Sequence, residues 1–192
     1  MKRQIVRFYL CTIVLLSLPA TCLAKHSKLP PDPRFASIDQ VVVLPVVDNR
    51  AGKKDKVSLD SIRKAATENL KHKNYTVTEA DKVGTVGDIA EEDLNDASPT
   101  WVKRLGPPDS RWVLVIALDD VHSKITFGST GNAEVVGFLF DRQDGTLVWK
   151  GTGVGQAGQG GLMGMAFKGF MSGAALDNAM ANLMSGIPKR GK

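Results

Sequence analysis

The chain has 192 residues, with 25 Lys and Arg against 20 Asp and Glu and a formal charge of +5. That length suits one domain with its own core and is short for two. Three of the basic residues and both cysteines fall in the first 24 residues; without them, 22 basic face 20 acidic residues and no thiol remains. A nearly neutral, cysteine-free chain excludes disulfides, thiol nucleophiles and cysteine metal sites, and it argues against a nucleic-acid partner.

The opening residues read as an export signal. Lys2, Arg3 and Arg7 precede an apolar run from Tyr9 to Leu18, which Pro19 breaks, and small residues follow at Cys22 and Ala24. Basic, apolar and small residues in that order make a secretion signal, and the apolar run is short for a permanent bilayer span. A retained N-terminal membrane anchor is the competing reading. Two processing routes fit a signal peptide over 1–24. Cleavage after Ala24 leaves a mature chain without cysteine; cleavage before Cys22 makes that cysteine a lipid-bearing N-terminus. Pro30, Pro31 and Pro33 then predict an extended tether over 25–37.

The first predicted strand is Gln40 to Val47, whose continuous β-branched run implies burial on both faces and a central place in a sheet. Pro45 within it requires a bulge or an unpaired position. Ser58 caps a helix with Leu59, Ile62, Ala66 and Leu70 at helical spacing, ending at Asn74. Tyr75 to Thr78 alternates as a short strand. Asp88 with Glu91 forms a capping box for a short helix through Leu94, and Ser98-Pro99 opens another, stopped by Gly106-Pro107-Pro108. Arg111 to Leu118 is a second buried strand that continues less regularly to Phe127. Gly128, Gly131 and Asn132 suggest a turn into a strand from Glu134 to Phe140. Asp144-Gly145 signals a hairpin into Thr146 to Lys150. The 151–173 segment carries nine glycines in 23 residues and predicts a glycine-rich loop. One or two helices follow, with Leu176, Met180, Leu183, Met184 and Ile187 on one face and Pro188 at the end. The expectation is an α/β (α+β) domain over 38–188, a mixed sheet of about five strands with packed helices.

This order of motifs resembles a family of small bacterial envelope proteins and lipoproteins with the TolB N-terminal-like fold. The group includes the curli-secretion lipoprotein and penicillin-binding-protein activator lipoproteins. The resemblance rests on Val41-Val42-Val43-Leu44-Pro45 with Asp48-Asn49, the amphipathic helix, and Leu105-Gly106 leading into a buried strand. Gly145-Thr146-Leu147-Val148-Trp149-Lys150-Gly151 and the final helix ending at Ile187-Pro188 complete it. It implies a non-catalytic periplasmic domain that binds a protein partner and helps assemble or regulate envelope machinery, at the outer membrane if lipid-anchored. No long alternating hairpin pair is present for a membrane pore, so a pore function does not carry over.

Searching the residues for chemistry leaves little. His26, His72 and His122 are dispersed, and no His/carboxylate cluster suggests a metal. Gly153, Gly155 and Gly158 match a Gly-x-Gly-x-x-Gly string, but no second strand with a ribose-binding acid follows, so neither a nucleotide nor any other cofactor is expected. Asp119, Asp120, Asp141 and Asp144 stand near strand ends, where aspartates favour turns; a hydrolytic site built on them is one alternative. The other is a self-associating or membrane-contacting tail. There Gly160/Gly164 and Gly169/Gly173 recur every four residues, with Leu162, Met163, Met165, Phe167, Phe170 and Met171 as soft apolar surface. Leu162, Met163, Met165, Phe167 and Phe170 are the candidate binding residues, and Cys22 is the candidate lipidation site.

Overall fold

The computed structural model describes residues 32–51, 56–80, 91–126, 128–160 and 168–191. Its sheet is organised around the first valine run. Gln40–Val43 (β1) pairs in parallel with Thr76–Glu79 (β3) on one side and with Trp112–Thr126 (β4) on the other. Val41 and Val43 join the core beneath one helical layer, while Val42 and Leu44 join the core on the opposite face. The continuous β-branched run therefore marks a strand buried on both sides, as expected. Pro45 interrupts it. Pairing resumes at Val47–Asp48 (β2), which runs parallel to β4 with Val47 opposite Ala117.

From β4 the chain forms an antiparallel meander. Gly128–Asp141 (β5) and Thr146–Gly160 (β6) follow in turn, giving the order β3-β1-β4-β5-β6 with β2 attached to β4. The mixed α/β sheet expected from sequence is present, with six strands once the two-residue β2 is counted.

Helices cover both faces. Leu59–His72 (α1) begins at Ser58, whose hydroxyl accepts from the Ser61 amide at 3.2 Å. It ends at Asn74, which takes the left-handed conformation with φ 68° that asparagine tolerates better than most residues. Glu91–Asn95 (α2) and Pro99–Val102 (α3) lie on the second face, where Leu94, Val102 and Leu105 bury against Val113, Val115, Phe138 and Phe140. Lys168–Ser185 (α4) shares the first face with α1; Ala175, Ala179, Met180 and Leu183 bury against the same core as Ile62, Leu70, Leu114 and Ile116.

Three sequence expectations need correction. Pro33–Ser37, placed in the extended tether, forms a 3-10 turn capped by Asp32, and its Phe35 is buried in the main core. Gly128, Gly131 and Asn132 are not a turn before a strand but the first part of β5, since the hairpin closes at Thr126 opposite Gly128. Residues 151–160 are not loop; they are the second half of β6, paired with β5 as far as Gly160. The rest of the expected glycine-rich loop, 161–167, lies outside the described residues. Gly131 in β5 and Gly153 and Gly155 in β6 serve helix packing, not chain reversal.

Candidate functional site

The glycines of β5 and β6 form a trough for α4. A Cβ on Gly131 or Gly155 would fall far inside contact distance of the α4 backbone, at the carbonyls of Met171 and Ala175 respectively. One on Gly153 would stand 2.7 Å from Leu183 Cβ. Facing them, α4 presents the small Ala175 and Ala179, both fully buried. At the lower end, Trp149 is the neighbour: a Cβ on Gly137 would lie 3.0 Å from its ring. The Gly-x-Gly string is thus a helix seat and not a phosphate loop.

The outer edge of β6 is tended by the same helix. Asn178 and Asn182, one turn apart on α4, donate side-chain amides to Gln156 O at 2.8 Å and to Val154 O at 2.7 Å. Both carbonyls belong to the strand edge turned away from β5, so the asparagines occupy positions another strand would use.

The strand-end aspartates do not converge. Asp141 pairs with Trp112 in register, while Asp120 stands eight residues further along β4, about 27 Å at strand rise. The Asp141 side chain is fully buried and takes Arg111 Nη2 at 2.8 Å and the Gln143 amide at 3.0 Å. Burial opposes its ionisation, but Arg111 and the turn amides outweigh that and hold its carboxyl below the usual carboxylate range. Arg142 turns the other way: its guanidinium donates to carbonyls of Lys103, Pro107, Pro108 and Ser110, and burial lowers its pKa. These groups fix the β5–β6 turn, where Gly145 has φ 73° and Asp144 is exposed. Asp119 sits at an irregularity in β4, between Leu118 and Asp120.

The face of the meander opposite α4 carries a further polar group near the β4–β5 hairpin. His122 Nδ1 lies 2.6 Å from Asp120 Oδ2, and Asn132 Nδ2 lies 3.2 Å from His122 Nε2. With Asn132 donating to Nε2, the ring proton sits on Nδ1 and donates to Asp120. Both ring nitrogens are engaged, and among the described residues no hydroxyl nucleophile is bonded to either. His72 is exposed in the last turn of α1. Among the described residues no group of three or more His, Cys, Asp or Glu could hold a metal, and no helix is long and apolar enough to cross a membrane.

Of the sequence-predicted site, Cys22, Leu162, Met163, Met165 and Phe167 lie outside the described residues, and Phe170 falls in α4 with its side chain outside them. Sequence reading missed Arg111 and Arg142 as partners of the turn. Their position on either flank of a strand pair, beside Asp141, was the signal available.

The fold and these surfaces define a mixed-sheet α/β domain whose clustered polar groups bond one another and shape turns and edges. No protein-family model and no curated protein sequence matches the chain. Among solved structures, it is similar to the PelC dodecamer from Paraburkholderia phytofirmans, with 18% identity, 85% of this chain and 96% of PelC covered, and a TM-score of 0.51. A point variant of that dodecamer, in a second crystal form, gives 17% identity, 84% and 96% coverage, and a TM-score of 0.52. Below these stands the lipoprotein GNA1162 from Neisseria meningitidis, at 16% identity, 63% and 84% coverage, and a TM-score of 0.47. The likeness to PelC establishes a shared fold.

Proposed function

We propose that the chain is a non-catalytic accessory protein of the bacterial cell envelope, exported by its first 24 residues. It works by binding a protein partner, another copy of itself included, in the periplasm or at the outer membrane. The observation that carries this reading is a fold shared with PelC over most of both chains, PelC being crystallised as a dodecamer. The resemblance of its motifs to TolB N-terminal-like envelope proteins points the same way. So does the engagement of Asp141, His122 and Arg142 in bonds within the fold. Cys22 either leaves with the signal or carries the lipid. Leu162, Met163, Met165, Phe167 and Phe170 are the proposed contact residues, because soft apolar side chains suit an adaptable interface.

The test is the mass of the purified protein by light scattering, together with affinity capture from envelope extracts. A multiple of the monomer mass, or one reproducible envelope partner, is expected. A strictly monomeric protein that captures no specific partner would count against the reading.

A further inference from the structure

Four hydrogen bonds draw the end of the chain onto the end of α1. Arg190 N donates to Lys73 O at 2.9 Å, and Lys73 Nζ donates to Ile187 O at 2.7 Å. Asn74 Nδ2 donates to Arg190 O at 3.0 Å, and Tyr75 Oη donates to Pro188 O at 2.9 Å. This strap sets Lys189 and Arg190 beside Lys71 and His72, the last turn of α1. Lys71, His72 and Lys189 are exposed and Arg190 is half-buried. Among the described residues none of the four joins an ion pair, although Lys71 also borders a groove with Glu68 and Glu79. Cations in the last turn of α1 offset the helix dipole; Lys189 and Arg190 lie past Pro188, beyond the last turn of α4, and add charge after the helix has ended.

The N-terminal segment joins at this same end. Arg34 Nη1 donates to Thr146 Oγ1 at 2.8 Å, and Thr76 N donates to Asp39 O at 2.9 Å. The chain therefore enters where β1, β3 and β6 begin, which is the end toward which α1 and α4 run. Asp32 is already matched by Arg34, which holds its carboxyl down to about 2. Asp39 before β1, Asp109 before β4 and Asp144 in the β5–β6 turn are exposed carboxylates at this end, and Asp109 shares its groove with Arg111 and Arg142.

We propose that this basic end is a lipid-facing base: Lys71, Lys189 and Arg190 rest against anionic phospholipid headgroups and orient the domain, with the β4–β5 hairpin pointing away. The proposal rests on the envelope reading above. The cations share one end of the domain with Arg34 and Asp39, the first described part of the chain, so a membrane reached through the N-terminal segment would approach this end, which favours a membrane surface over a soluble polyanion. A Lys or Arg near an anionic bilayer strengthens partition about fivefold, and the attraction decays over about 8 Å at physiological salt.

A chain starting at Lys25 keeps every described element and suits vesicle flotation. The probes are vesicles of phosphatidylethanolamine with phosphatidylglycerol, and vesicles of phosphatidylcholine alone, at low and high salt. The expected result is flotation with the anionic vesicles only, abolished by high salt. The triple variant Lys71→Gln, Lys189→Gln, Arg190→Gln should lose about a hundredfold in partition. The equally neutralised control, Lys56→Gln, Lys64→Gln, Lys124→Gln, should lose far less, with thermal melts showing that both variants fold. Equal binding to both vesicle types, equal loss in both variants, or retention on heparin without flotation would each overturn the proposal. The light-scattering and capture results bear on the envelope reading separately, so the two can fail independently.

Discussion

Replacing Gly153 with alanine probes the seat of α4. The new methyl would stand 2.7 Å from both Leu183 Cβ and Leu183 N, with the Ala179 carbonyl closer still. Because two of these obstacles are backbone, no rotamer change relieves them, and the helix must rise by roughly 1 Å, since carbon contacts settle near about 3.5 Å. A gap of that size forfeits roughly a quarter to a half of each contact's attraction. Leu183, Met180 and Ala179 are all at most 2% exposed in the wild-type fold, so the loss plus overpacking strain amounts to about 3 kcal/mol. Gly173 is the internal control, because a Cβ there meets nothing within 4 Å. It lies within α4, where alanine in place of glycine stabilises by about 1 kcal/mol. Urea unfolding measures both through the midpoint at constant slope. A Gly153→Ala stability within about 0.5 kcal/mol of wild type, or a destabilised Gly173→Ala, would refute the packing argument.

Three further outcomes follow from the same geometry. Asp141→Asn should cost about 2 to 3 kcal/mol by removing the charge that Arg111 and the turn amides bind. Because the folded-state pKa of Asp141 is depressed, its contribution is complete above the unfolded carboxylate value of about 3.9 and declines as pH falls through the lower folded value. The stability difference between wild type and Asp141→Asn should therefore narrow below about pH 4, and a constant gap down to about pH 2 would contradict it. Paired Asn178→Ala and Asn182→Ala changes should uncover the β6 edge and raise aggregation on storage, followed by light scattering; unchanged solubility would show that the edge needs no such guard. Arg142→Ala should destabilise by about 2 kcal/mol and raise proteolytic sensitivity between Lys103 and Ser110, whose carbonyls it holds.

Much of the fold was legible because local chemistry and burial agree. The run Val41-Val42-Val43 demanded two buried faces, Ser58 and Asn74 bounded α1, and Asp144-Gly145 marked the hairpin. The errors cluster at glycines. Gly131, Gly153 and Gly155 look like turn formers in isolation, and only the approach of α4, from residues 171–183, explains them. That requirement is long-range and leaves no local trace. For the same reason Phe35 escaped notice: the neighbouring prolines argue for an extended chain, while burial of one aromatic ring turns Pro33–Ser37 into a 3-10 turn. Of the strand-end aspartates, Asp141 and Asp144 were readable as turn residues, but Asp119 and Asp120 lie inside β4 at a register irregularity; the basic end depends on the strap joining residues 187–190 to Lys73, Asn74 and Tyr75. Separated by over a hundred positions, those segments show no connection until the chain is folded.

The most direct test of the account is intact-mass spectrometry of the protein recovered from fractionated cells. The prediction is a chain in the envelope fraction that has lost its first residues, beginning either at Lys25 or at a lipid-bearing Cys22. A full-length chain beginning at Met1 and confined to the cytosol would contradict the account.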